Sequence, residues 1–540
     1  MPASHVSVAI ALTFTLGQGA TPPPLQHPHE SGQPPQQLGT VDFRTSCDPA
    51  LRAELNRAVA LLHSFWFGAS AAAFTAAAEE DPSCGIAWWG VAMSRWGNPF
   101  APGRPVANIR QGSEAIAKAR SAGAKTERER GFIEAAATLF TDFETVDHRT
   151  RIVNYERAME RVYQKHPDDK ELAAFYALSI NQTALPTDKQ YAQQLKAAAI
   201  LEELFKTMPD HPGVAHYLIH AYDHPPLAER ALPAAQRYAK IAPDAPHALH
   251  MPSHTFTRVG HWEDSITTNL ASAEAARKAR SPGEVLHALD YQVYAYLQTA
   301  QDTAAARVIA ELAAVVREID TAEQYGLAGY YAAAAIPARH ALERGDWRRA
   351  AALEVRSSPF PFVDAMTHFA RAIGAARGGN VAAARTDVEK LEALRATLQA
   401  NRDEYWAQQL EIQQLAARAW IALAERKNDE ARALMEKAAT VEDSTDKSAI
   451  SPGPLAPARE MLGEMLLEMG KPAEAQAELE AVMKKEPNRF RALYLGGKAA
   501  ALNSDAAKAR QYYQQIVEMC PKGEAAVRPE LAEARQKAGA

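Results

Sequence analysis

Small and apolar residues recur along the chain at helical rather than strand spacing, and near the C-terminus they recur with a fixed register. Counting from Ala456, Gly463, Gly470, Ala475, Leu479, Val482 and Pro487 stand at positions 8, 15, 20, 24, 27 and 32. A second run begins 34 residues later at Phe490, with Gly497, Ala509, Tyr513, Ile516 and Pro521 at positions 8, 20, 24, 27 and 32. Small residues at 8 and 20 let two antiparallel helices approach closely, and larger apolar residues at 24 and 27 fill the seam to the next pair. Proline ends the second helix because it lacks the amide proton the next turn needs. The pattern predicts helical hairpins that cannot bury their apolar faces alone and must stack.

The same grammar recurs upstream in degraded form. Phe74, Ala77 and Asp81-Pro82 close one unit, and Trp88 to Ala92 open the next. Gly260-His261-Trp262, Gly345-Asp346-Trp347 and Gly378-Gly379-Asn380 mark turns between helices. Between 100 and 200 helices are clear but the frame is not. The period and the small-residue positions resemble the tetratricopeptide repeat. That resemblance implies an all-α, TPR-like solenoid, a right-handed superhelix of roughly nine or ten hairpins, with a concave groove that takes a protein or peptide partner.

Composition narrows the class. Alanine, leucine and charged residues dominate, which favours helix, and a net charge of −6 over 540 residues leaves no basic block for nucleic acid. No apolar stretch is long enough to span a membrane. Val6 to Leu16 is an apolar run followed by Gly17, Gly19 and Ala20, which predicts a signal peptide over 1–20 and a periplasmic or secreted protein, although no Lys or Arg precedes the run. A Pro- and Gln-rich linker is expected over 21–46, then an N-terminal array over 47–344 and a C-terminal array over 345–540. In an oxidising compartment Cys47 and Cys84 are expected to pair and pin the start of the chain to its first repeat. Cys520 reads as a buried small apolar residue.

The distinctive chemistry is histidine. Eight of the seventeen histidines lie between His211 and His261, where an even spread would place about two. In the repeat frame His216, His220 and Asp223 take groove positions 5, 9 and 12 of one unit. His247, His250, His254 and Arg258 take 2, 5, 9 and 13 of the next, and His287, Asp290 and Tyr294 take 2, 5 and 9 of a third. Histidines four apart share one helix face, so both rings can reach one ion. The predicted set is a transition metal (zinc, copper or iron) held by His216, His220, His254 and His250, with Asp223 and Asp290 as oxygen ligands or outer partners. Mononuclear and dinuclear sites both fit. His63, His247, Arg258, His287 and Tyr294 are expected to line the groove, with His63 read first as a packed histidine. Pro252 leaves two geometries open: a kinked helix carrying both His250 and His254, or a helix that begins at Pro252 and carries only His254.

Other chemistries find no purchase. His216-Tyr217-Leu218-Ile219-His220 lacks the glutamate of the zinc-protease helix. There is no phosphate loop, nucleophile elbow or Cys-x-x-Cys. The segments LLHSFWF, HYLIHAYDH and HALHMPSHTF resemble a bacterial group of exported TPR proteins. That resemblance implies a functional site at His63, His216, His220, Asp223, His250 and His254 and names no reaction. The rival reading is a groove that accepts a peptide without metal, and convergence of the imidazole nitrogens discriminates the two.

Overall fold

The computed structural model describes residues 36–101 and 104–539. Among them there are helices and no strands, and no helix is long and apolar enough to cross a membrane. The expected signal peptide lies outside the described residues, as does most of the expected linker. The last part of that linker is packed: Leu38, Val41 and Phe43 are buried, and the Phe43 ring stacks on Trp89 at 5.5 Å. Three apolar residues among the prolines and glutamines suffice to tie 37–46 to the first hairpins. From Gln37 onward the chain is one compact unit, and the arrays expected on either side of 345 run together in it.

The C-terminal register is realised helix by helix. Ala458–Glu468 pairs with Pro472–Lys485, and Phe490–Leu502 pairs with Ala506–Met519. Position 15 turns the chain back through positive φ, at Gly470 (73°) and at Ser504 (61°). Gly260, Gly345 and Gly379 turn the same way, as the three turn signals predict. Position 8 touches position 24: a β-carbon on Gly463 would stand 2.6 Å from Leu479, and one on Gly497 would stand 2.8 Å from Tyr513. Upstream, Gly90 makes a close contact of another kind, with Phe74 of the preceding helix. The stretch with no legible frame is also hairpins, Glu127–Phe140 with His148–Lys165 and Lys170–Gln182 with Ala192–Thr207. Its helix starts are set locally. Thr126 and Glu129 form a reciprocal capping box, and Asp147 and Asp169 cap the next two.

Cys47 and Cys84 form a disulfide across a separation of 37 residues. Cys520 is free and buried. The array also closes on itself. Trp262 Nε1 donates to the Asn488 carbonyl at 2.7 Å, Arg528 pairs with Asp302 at 2.9 Å, and buried Arg489 joins Glu343, Glu460 and Tyr294.

Gly463→Ala is expected to destabilise the chain by about 1–2 kcal/mol, because overpacking against Leu479 outweighs the gain in helix propensity. Gly68→Ala, where the added carbon meets nothing within 4 Å, is expected to be neutral or stabilising. Urea unfolding of the two variants beside the wild type checks the difference in sign.

Candidate metal centre

Three elements carry the histidines: Pro212–Ala221, the pair Pro246–His250 and Pro252–Val259, and Pro282–Gln298. Each begins with proline at its first turn, where the missing amide costs nothing. The Pro252 question resolves as a break without loss of helical geometry. Met251 keeps helical dihedrals (φ −53°, ψ −35°) between the two short helices, so His247, His250 and His254 share one groove face. Gly213 lets Pro212–Ala221 press against the helix Arg52–His63, since a β-carbon there would lie 2.4 Å from His63 Nδ1.

The rings gather into two trios. His216, His220 and His247 each offer one ligand atom, all within 4.8 Å of one another, and His250, His254 and His287 do the same. In the first trio the Nδ1–H of His216 donates to the His63 carbonyl at 2.7 Å, which leaves the Nε2 lone pair free. The Nε2 atoms of His216, His220 and His247 are all buried without a hydrogen-bond partner. Glu284 Oε2 lies 3.8 Å from His247 Nδ1, on the far side of that ring. Phe65 roofs the trio, with ring centroids 4.3 Å from His216, 5.8 Å from His220 and 5.4 Å from His247. It stands there because its backbone takes a left-handed turn (φ 53°) after the first helix.

Burial pushes the imidazoles of His216, His220 and His250 well below the ordinary range, and the neighbouring rings add to it. His254 is held down at about 4, where burial outweighs the pull of Asp223. His287 falls to about 3, mainly through burial, with Glu284 opposing. Neutral imidazoles are the form that binds metal.

Asp223 supports the second trio from outside it. Its Oδ2 accepts from His254 Nδ1 at 3.0 Å and from Lys447 Nζ at 3.1 Å, and its Oδ1 accepts from Arg258 Nε at 2.8 Å. Burial works to protonate it, but Lys447, Arg258 and His254 together hold the carboxyl well below its usual range. Asp290 does not join the histidines. It is fully buried against Arg339 at 3.3 Å, and burial raises its carboxyl despite that guanidinium. Tyr294 belongs to the same structural network, its hydroxyl accepting from Arg489 at 2.9 Å.

His63 packs beside the first trio with no ring nitrogen to spare. Its Nε2–H donates to Glu171 Oε2 at 3.2 Å and its Nδ1 accepts from the Tyr217 hydroxyl at 2.8 Å. His211 completes that triad, donating Nε2–H to Glu171 Oε1 at 3.1 Å while its Nδ1 accepts from the Val214 amide. Burial tends to raise the Glu171 carboxyl, and His211 and His63 more than offset it. His63, Glu171 and His211 lie close enough together to resemble a site, but every ligand nitrogen is already used.

Two contributors lay outside the sequence reading. One is Phe65. The other is the C-terminal segment around Asp446 to Gly453, which enters the groove of the middle repeats. Asp446 pairs with His224 at 3.0 Å, Lys447 reaches Asp223, and the Ser451 and Gly453 carbonyls accept from Tyr291 and Arg339. No periodicity announces a loop that docks more than two hundred residues away. His247 and His287 were legible as groove residues but not as members of the trios. A cavity of about 410 Å³, lined by His220, His247, His254 and His287 with Phe65, Phe100 and Ile450, gives access to both.

In the metal-free chain His63 and His254 are buried, with pKa values of about 4 against 6.5 for an ordinary imidazole. Between those values the unfolded chain binds more protons than the folded one, so stability falls as pH falls. Each ring contributes on the order of 3 kcal/mol of that loss once the pH is below 4. Urea midpoints of the metal-free protein are expected to be flat above pH 7 and to drop steadily from about pH 6.5 to 4.

Residues 460–524 match the family model described as Tetratricopeptide repeat. No curated protein matches the chain. Among solved structures, a tetratricopeptide repeat protein from Parabacteroides merdae ATCC 43184 is 14% identical with a TM-score of 0.28, covering 54% of this chain and 98% of that one. A human IFIT1 dimer with PPP-AAAA is 11% identical with a TM-score of 0.38, over 80% and 90% of the two chains. The Cut9-Hcn1 hetero-tetramer of the APC/C is 10% identical with a TM-score of 0.30, over 90% and 96%. The 34-residue register, the position-8 to position-24 contacts and the matched segment agree: residues 460–524 are tetratricopeptide repeat.

Proposed function

We propose that the chain is an exported tetratricopeptide-repeat protein that holds a transition metal ion at His216, His220 and His247. One observation carries the reading: three buried Nε2 atoms, each without a partner, converge from two successive repeats. Leaving three buried polar nitrogens unpaired costs on the order of 1–3 kcal/mol each. An ion bound by all three offsets that cost. Ligand nitrogens of a tetrahedral ion at 2.0–2.1 Å sit about 3.3 Å apart, which small ring rotations reach from the present spacing. The His63 carbonyl holds the far nitrogen of His216, the usual way a protein orients imidazole ligands, and Glu284 lies 3.8 Å from that of His247.

Three protein ligands leave a coordination position for water or substrate, the arrangement of catalytic rather than structural sites. The adjoining cavity reaches His220 and His247, so that position has access. Imidazole-only donors suit zinc, copper or iron and disfavour magnesium or calcium. The peptide-groove reading fares less well in this stretch, because the rings converge and the chain's own Asp446 to Gly453 segment occupies the groove. Protein partners remain the natural use of the scaffold's other faces.

Export is part of the same proposal. It rests on the apolar run at Val6 to Leu16 and on the Cys47–Cys84 disulfide, which suits an oxidising compartment.

Elemental analysis of untagged protein is expected to find zinc, copper or iron bound, with about one equivalent fewer in a His216→Ala/His220→Ala variant whose circular dichroism is unchanged. A wild type that stays metal-free after reloading sinks the proposal. Fractionation of cells expressing the full chain is expected to recover it outside the cytoplasm, shortened near Ala20; full-length protein confined to the cytoplasm would remove the export claim.

A further inference from the structure

The second trio repeats the first in register. His216 and His220 hold positions 5 and 9 of their repeat and His247 holds position 2 of the next; His250 and His254 hold 5 and 9, and His287 holds position 2 of the repeat after. From this repetition and the hydrogen bonding below we infer that the chain holds a pair of transition ions, the second bound by His250, His254 and His287 one repeat along from the first. The inference rests on the reading of the first trio for one member of the pair and on independent geometry for the other.

That geometry is the direction of the hydrogen bonds. Asn269 Nδ2 donates to the Ser265 carbonyl at 2.7 Å, so its Oδ1 faces His250 and accepts from the ring's Nδ1–H at 2.7 Å. The Nδ1–H of His254 donates to Asp223 at 3.0 Å. Both rings therefore carry their lone pair on Nε2, and those two atoms face each other at 3.1 Å. Two lone pairs at that distance repel unless something positive lies between them. A proton would make an imidazolium, and the carboxylate in contact, Asp223, already serves Arg258 and Lys447. Tyr291 has one hydroxyl proton, and the Ser451 carbonyl competes for it at 3.2 Å against 3.3 Å for His254. A metal ion accepts both lone pairs at once, and 3.1 Å is close to the edge of a tetrahedral nitrogen site, about 3.3 Å. His287 supplies the third donor, with Nδ1 buried and unpartnered.

The pattern also ends where it should. In the third repeat positions 5 and 9 are Asp290 and Tyr294, both engaged by buried arginines, so no further site follows. The two trios adjoin, with ring centroids 5.9 Å apart for His220 and His254 and 6.0 Å apart for His247 and His250. Both open on the same cavity, which gives the ions a common entry and places any small molecule bound there within reach of both. Neither trio contains a carboxylate, so the pair suits copper or zinc.

The test uses the full chain without a tag, stripped of metal, reloaded with zinc and dialysed. About two zinc ions per chain are expected in the wild type, and about one in each of His216→Ala/His220→Ala and His250→Ala/His287→Ala. A single ion lost only from the first variant overturns the pair and leaves the first site standing. A single ion lost only from the second variant overturns the pair and the first site and leaves the second standing, and no ion overturns both. Should either variant fail to fold, wild type loaded with copper(II) decides alone. A half-field electron paramagnetic resonance line, with integrated spin below the copper content, is expected from neighbouring ions, whereas a full count of isolated spins overturns the pair.

Discussion

The carboxylate of Asp223 takes three cations or donors from two separate parts of the chain: His254 and Arg258 on one helix, and Lys447. It leaves the end of one groove helix, fixes the tautomer of a ring on the next, and anchors a loop from the far end of the array. Removing any one partner would leave the others compensating a buried charge, and unpaired buried charge is expensive. The orientation of His254 in the second trio and the docking of Lys447 over the groove both run through this one junction. An aspartate at a groove position is ordinary in a repeat scaffold; its burial under Lys447 is what turns a groove into an enclosed site.

Much of the architecture was legible because repeats write their geometry locally. Gly463 and Leu479 touch because their spacing demands it, and Gly470 and Ser504 turn because position 15 must. The groove histidines were legible for the same reason: positions 2, 5 and 9 face inward. Their division was less legible. Two rings four apart on one helix read as a pair, and the third ring of each trio comes from the next helix, a relation set by inter-repeat packing. Asp290 was misread because it has the right position and the wrong neighbour. Arg339, 49 residues on, claims it. His63 was read first as packing, and its partners Glu171 and Tyr217 give that reading its physical content.

Three of the histidine clusters look alike by distance and differ in what their nitrogens do. Around Glu171 every ring nitrogen donates or accepts within the protein. In the trio under Phe65 three buried nitrogens converge without a partner, and in the third cluster two acceptors confront each other. Proximity alone would rank these together. Following each proton to its carbonyl or carboxylate separates a cross-brace of the core from sites built to take a cation.

The docking of Lys447 on Asp223 spans 224 residues of sequence, and this changes how the array must fold. A linear solenoid can nucleate anywhere and grow by neighbours. Here the middle repeats present a half-lined, histidine-rich trough until the last fifth of the chain has been made, and only then does the lid segment settle. The slow, long-range closure comes last. Until that segment has been made, the middle repeats lack the contacts of Lys447 and Ser451. The moment of closure sets the time window in which ions can enter and nascent helices can pair wrongly.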